Sequence, residues 1–313
     1  MAADMNPSST RDHAPDAAAA PVSTLDHGPA AASTPGAPHL RGPVDAVTSV
    51  RLPILRWVLR QQRRGLIAWG AAMAVIAAIY VSFYPAMGDN GELDALIAGL
   101  PEGLVAALGY DAIGTAAGYL ESTVFGLLGP ILLLVFAVGT AARLVAGEEE
   151  AGELELESAA PVSRRQVLGE RYLALLVGIT WLGFVTGAVT FLLVLALEMD
   201  VASGALASTT LGLILLVVAL GSVTFAAGAA TGRRAVALAV GSGVAVFAYM
   251  ANALAPLLED GAWLERLSPF AWYLSAEPLV NGLGLGGAAA MVALAVLGVL
   301  VAVVTYDRRD LGV

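Results

Sequence analysis

The chain contains no cysteine and no lysine. The first absence excludes disulfides and thiolate metal sites. The second excludes a G-x-x-x-x-G-K-[ST] loop, whose lysine must reach the nucleotide phosphates. The chain is therefore not itself an ATPase of that class. Its three histidines, His13, His27 and His39, all precede the apolar part of the sequence. That excludes a Ser–His hydrolase inside a membrane, despite Gly241-Ser242-Gly243, and it excludes histidine ligation of haem or zinc. No catalytic residue and no metal ligand is assigned. Charge is scarce too: 13% of residues, against about 25% in a soluble domain. The net charge of −10 comes from acidic residues in the connecting loops, where they keep those loops solvated. No basic face suits a nucleic acid.

What remains is apolar. The chain is 58% hydrophobic with a mean hydropathy of +0.77. Six apolar runs lie near residues 65–86, 122–146, 172–197, 206–231, 235–257 and 283–306. Each is long enough to cross ~30 Å of hydrocarbon as a helix, whereas barrel strands would be ~10-residue segments of alternating polarity. The fold class is all-α: a polytopic protein with six transmembrane helices, spanning 45–313. Residues 1–44, rich in Ala, Pro, Ser, Thr and Asp, read as a disordered tail. Arginine sets the orientation. Five arginines between 51 and 64 precede span 1. Arg143, Arg164, Arg165 and Arg171 lie between spans 2 and 3, Arg233 and Arg234 between spans 4 and 5, and Arg308 and Arg309 after span 6. The alternate loops hold only Arg266. By the positive-inside rule both termini are cytoplasmic, and the protein is a multi-pass component of the cell membrane.

The spans hold almost no ionisable groups. Thr180, Thr186, Thr190, Ser222, Thr224 and Asn252 are their polar residues. They read as helix-packing hydrogen bonds or as a weakly polar path for an amphipathic solute. Without an embedded charge relay, a pump of this kind draws its energy from another subunit. Small-xxx-small pairs such as Gly183/Gly187 and Gly228/Gly232 suit close packing in lipid.

Three connections carry more information. In residues 50–64, Arg56, Arg60, Arg63 and Arg64 share one helical face and Leu55, Trp57, Val58 and Leu59 cover much of the rest. This predicts an amphipathic helix on the inner membrane surface, against lipid headgroups. In 87–121, the spacing of Leu93, Leu96, Ile97, Leu100, Leu104 and Leu108 predicts two short surface helices within 92–109, separated by Pro101. The stretch Arg143–Tyr172 carries seven carboxylates and four arginines. Its acidic part predicts a short helix over 147–160, ended by Pro161. Ser163 and Gln166 then form a capping box that starts the next helix. Such a projecting piece can take a push from a soluble partner and pass it to spans 2 and 3.

The residues Gly147, Glu148, Glu149, Glu150, Gly152, Leu154, Glu155, Pro161, Val162, Ser163, Arg164 and Arg165 resemble the pattern after the second span in permease subunits of ABC-2-type ABC transporters. "RLSPFAWYL" (266–274), "TGRR" (231–234) and "YDRRDLGV" (306–313) are similar to other parts of that family. Ala151, Glu153 and Glu157 depart from the pattern, mostly toward more acid. The resemblance covers roughly 50–313. It implies a permease moving solute outward while separate cytoplasmic ATPase subunits bind ATP and Mg. It also implies a second permease copy, identical or not. The 147–160 helix would be the coupling helix and the 50–64 helix an interface helix. Short half-helices within 258–281 would shape the outer exit, with Trp263, Phe270, Trp272 and Tyr273 as a candidate outer gate. The alternative is a non-transporting docking or sensor component using the same charged helix.

Overall fold

Proline is tolerated at the first position of a helix, where its missing N–H has no bond to make. The first helix begins that way. In the computed structural model, which describes residues 52–87, 95, 97–108, 110, 112–147 and 163–308, α1 runs unbroken over Pro53–Met87. Its 35 residues extend about 52 Å, well beyond ~30 Å of hydrocarbon. The sequence reading separated a surface helix from span 1, but the structure joins them. Gly65 lies at the expected boundary, and one glycine costs a helix only about 1 kcal/mol. That is too little to break it here.

The next helix, α2, is Glu102–Leu108 and follows Pro101. It is the second of the two pieces expected in 92–109. Before it, a turn closes with Leu100 N donating to Ile97 O. Residues 91–94 lie outside the description. Span 2 is α3, Ala116–Ala146. Thr115 caps its start, its hydroxyl accepting from Gly118 N at 3.1 Å. Two stretches of α3 have π geometry, Glu121–Leu128 and Arg143–Gly147. The first ends at Gly129-Pro130, where proline has no N–H to give, and a widened turn accommodates that gap.

The remaining elements are α4 (Arg164–Ala196), α5 (Ser203–Thr231), α6 (Arg234–Leu254, prolonged by a 3-10 turn), α7 (Ala262–Leu267), α8 (Pro269–Leu274), α9 (Pro278–Asn281) and α10 (Leu285–Arg308). Helices α1, α3, α4, α5, α6 and α10 are long and apolar enough to cross a membrane. The described residues form helices and connecting turns only. All belong to one compact unit, Val50–Val313.

The centre is α5, packed against α10, α3, α6 and α4. Lipid offers no hydrophobic drive between helices, so contact depends on close approach of backbones. Gly183 and Gly187 of α4 face Ile214 and Thr210 of α5, so this pair is a true helix contact. Gly298 of α10 sits against the backbone of Ser222. Gly232 plays a different part from the one its spacing suggested. It caps α5 in the left-handed conformation, φ 63°, and donates its N–H to Gly228 O. Thr186, Thr190, Ser222 and Thr224 each donate to the carbonyl four residues back in their own helix, and two of them also reach another helix: Ser222 meets Tyr172 Oη at 2.8 Å and Thr186 meets Met73 Sδ at 3.9 Å. Large apolar residues such as Phe83, Phe184, Phe247 and Leu297 point outward, as a membrane solvent allows.

Candidate functional site

The starts of α1 and α4, the ends of α3, α5 and α10, and the start of α6 gather at one end of the bundle. It is the arginine-rich end. Helix α1 opens at Pro53, which leaves Ile54 N and Leu55 N without partners of their own. Both donate to one carboxylate oxygen, Glu170 Oε2, at 2.8 and 2.9 Å. Glu170 belongs to α4 and is only 3% exposed. Its other oxygen accepts from Gln166 Nε2 at 2.8 Å. A single side chain thus caps one span from the flank of another, 115 residues away in sequence.

Helix α4 starts two turns before Glu170. Ser163 caps it as expected, accepting from Gln166 N at 3.3 Å. The reciprocal half of the capping box is replaced: Gln166 turns its amide to Glu170. Arg165, next to the cap, reaches α10, where Nε donates to Asp307 Oδ2 at 2.8 Å. Both partners of that pair retain solvent access. Arg164 is also exposed. Glu148, Glu149, Glu150, Gly152, Leu154, Glu155 and Pro161 lie outside the described residues. Ser163, Arg164 and Arg165 are the only coupling candidates within them. Arg56, Arg60, Arg63 and Arg64 are exposed along the first turns of α1.

At the same end, α1, α3 and the start of α6 line an open pocket of about 640 Å³. Trp57 and Trp69 of α1 and Phe136 of α3 give it aromatic walls; Gln61, Gln62, Arg143 and Arg234 give it polar ones. The Trp69 and Phe136 rings meet edge to face at 6.1 Å. Gly65 and Gly139 also line it, and a Cβ on either would meet nothing within 4 Å.

The opposite end is built differently. Ser268 starts α8, accepting from Ala271 N and donating to Ala248 O at 2.6 Å, fully buried. Phe270 packs edge to face on Tyr249, ring centres 5.4 Å apart. Tyr273 is fully buried against Gly212, and its hydroxyl has no hydrogen-bond partner among the described residues. Burial, with the Glu121 carboxylate adding to it, raises the Tyr273 phenol well above its ordinary value. Trp263 is exposed, and Trp272 donates Nε1 to Arg266 O at 2.9 Å. The four aromatics proposed as a gate are therefore split. Phe270 and Tyr273 are core; Trp263 and Trp272 lie nearer the surface. All sit on the short helices α7 and α8, which fall within the half-helix region 258–281.

Glu121, which hydropathy leaves at the edge of the 87–121 connection, lies in the π stretch of α3. Its Oε2 accepts from Leu279 N at 3.1 Å, holding the start of α9. Glu170 and Arg171, both buried, were likewise counted in a charged connection. Helices α1, α3 and α4 begin six to twelve residues before their apolar runs, so charges at those run edges fall on helix flanks. The Gln166–Glu170 spacing of four was the available signal, since it puts both on one face of a helix.

No curated protein matches the chain. One family model, described as ABC-2 family transporter protein, matches residues 52–311 and takes in the six apolar helices, both clasped ends and the cavity. The chain is a multi-pass membrane protein and belongs to the ABC-2 family of transporters.

Proposed function

We propose that the chain is the permease subunit of an ATP-driven exporter, moving a lipophilic or amphipathic solute outward. Separate ATPase subunits bind ATP and Mg, and a second permease, identical or not, completes the path. The arginine-rich end faces the cytoplasm by the positive-inside rule. The acidic stretch 147–160 receives the motion of the ATPase there.

The observation that carries this reading is the Glu170 clasp. The acidic stretch joins the end of α3 to the start of α4. A displacement at Ser163 moves Glu170, seven residues on along the same helix. Glu170 holds the first turn of α1, so α1 moves as well. Arg165 extends the linkage to α10 through Asp307. One push is thus shared by four spans. Among the described residues the buried charges lie near the ends of the spans, which leaves no charge relay through their middle and calls for such a mechanical input. Exposed arginines along α1 suit a face that meets cytoplasmic partners.

The test is retention of an ATPase. Tagged full-length chain, extracted from its native membranes in mild detergent, is expected to carry Mg-dependent ATPase activity through purification. Replacing 148–157 by a glycine–serine string is expected to abolish that activity while the permease still elutes as a folded protein. Equal ATPase retention by both forms would remove the acidic stretch from the mechanism. No ATPase with either form would favour a docking or sensor role.

A further inference from the structure

Helix α10 packs along α5 and touches α4 little beyond the Arg165–Asp307 bond. A cleft of about 290 Å³ is left between α4 and α10. Tyr172 of α4 forms one wall, Leu215 and Val218 of α5 the floor, and Met291, Ala295 and Val299 of α10 the other wall. The Tyr172 ring does not swing inward to fill the space. Its hydroxyl meets Ser222 Oγ at 2.8 Å, and the ring packs edge to face on Phe225, centres 5.2 Å apart. Ala295 leaves open the volume that a larger side chain at its position would take. Apart from the Tyr172 hydroxyl, the lining side chains are hydrocarbon and one thioether.

The cleft lies at the depth of a bilayer's hydrocarbon. On α10 its lining starts at Leu300, about 12 Å before Arg308, and runs about 14 Å to Met291. Tyr172 stands about 12 Å from Arg164 along α4, so both walls begin at one level. One leaflet fills about 15 Å, half of a hydrocarbon core of ~30 Å. A bilayer-facing hollow of this kind takes either a neighbouring helix or a lipid chain. Helices meet in membranes through small residues that let backbones approach. The exposed rim here is Val292, Val296 and Leu300, four residues apart, and these hold another backbone away. A thin, flexible chain passes between them. Left empty, the hollow would forfeit the dispersion contacts of its lining.

We infer that this cleft is a binding site for one acyl chain of a phospholipid, drawn from the leaflet at the arginine-rich end. The lipid chain completes the contact between α4 and α10 that their own side chains leave open. The inference needs only that the chain spans a membrane, and it stands apart from the exporter reading.

The test uses the full chain, stripped of co-purifying lipid and placed in nanodiscs of phosphatidylcholine with a diazirine midway along one acyl chain. Labelled sites are read by peptide mass spectrometry. Label is expected at Tyr172 and at 215–218, the wall and floor that a chain reaches from inside the cleft. Ala295→Phe fills the hollow and Val296→Trp closes its rim. Each is expected to lower that label roughly tenfold, the effect of losing about ten carbon–carbon contacts. Label at Val246, Phe247 and Met250, on the exposed face of α6, is expected to stay unchanged. Unfolding temperature checks that the bundle is intact. Val296 is 51% exposed, so its variant keeps the test alive if Ala295→Phe fails to fold. The chain has no cysteine of its own, so Val296→Cys reports a second copy cleanly. Oxidised with copper phenanthroline, it is expected to give no disulfide-linked pair. Background label at Tyr172 and 215–218, or equal label in the parent and both variants, would overturn the assignment. So would a high yield of disulfide-linked pairs, which would seat a second copy in the cleft.

Discussion

The two ends of this bundle are held together by different physics. At the arginine-rich end the spans are tied by polar bonds reaching across helices: Glu170 to the α1 backbone and Arg165 to Asp307. An open pocket lies at the same end. At the other end, Phe270 and Tyr273 are sealed in apolar packing, and Tyr119 and Tyr84 pin α3 to α1 through Tyr119 Oη to Tyr80 O and Tyr84 Oη to Gly114 O. Ring packing tolerates little displacement, because dense apolar contact is lost within an ångström. A hydrogen-bonded clasp moves as a unit when its two helices move together. Under the proposed coupling, motion would enter at the tied end, whose bonds join whole helices, and be resisted at the packed one.

This contrast is breakable. The largest effect is expected from Gly212→Leu at the packed end. A Cβ there would stand 2.8 Å from the Tyr273 ring and 2.9 Å from Leu283. The Tyr273 ring cannot retreat, since it is fully buried, whereas the half-buried Leu283 methyl can yield. Overpacking of this kind costs about 3 kcal/mol. The purified variant is expected to unfold at clearly lower temperature, followed by tryptophan fluorescence in detergent. Next comes Glu170→Ala at the tied end. It leaves two N–H groups at the start of α1 without their acceptor, a capping loss of about 1–2 kcal/mol. The protein is expected to fold, yet to lose most substrate-stimulated ATPase when reconstituted with its partner. Glu170→Gln keeps an acceptor oxygen and is expected to recover part of that coupling. If Glu170→Ala destabilised the chain as much as Gly212→Leu while leaving coupling intact, the two ends would not differ in the way described.

Much of this architecture was legible before the structure, because a membrane span announces itself by length and hydropathy alone. All six spans fall where the apolar runs lie, and the Ser163 cap was readable from its side chain. The boundaries were not. Hydropathy marks where lipid begins, whereas a helix continues as long as its backbone bonds continue. So α1, α3 and α4 start some six to twelve residues before their apolar runs. That is why Glu170 and Glu121 were counted with the loops. Their partners are backbone N–H groups of Ile54, Leu55 and Leu279, which carry no side-chain signature. The split of the four aromatics between core and surface depends on how α7 and α8 fold back on α6, which no local pattern encodes.

An intermediate effect is expected from Glu121→Ala, because it places a tied-end device inside the packed end. Glu121 holds Leu279 N at the start of α9, where Glu277 adopts a left-handed φ of 48° just before Pro278. Losing the acceptor frees a turn that already carries strain. The surrounding rings remain, so the bundle is expected to unfold within a few degrees of the parent. Hydrogen exchange is expected to rise at residues 279–283 and not at 270–273. Exchange rising equally across both stretches would mean that this end depends on the carboxylate more than on its rings.

The smallest effect is expected from Arg165→Gln. Its partner Asp307 and Arg165 itself are open to solvent, so the pair is screened by salt and holds its geometry loosely. Unfolding temperature is expected to stay unchanged. Its place in the linkage still matters, because it bonds the first turn of α4 directly to the end of α10. Coupling is therefore expected to fall slightly at low ionic strength and to match the parent at high salt, where the parent pair is already weakened. A salt-independent loss would mean that Arg165 works through the ATPase surface and not through α10. In that case the push shared by the spans would stop at the Glu170 clasp.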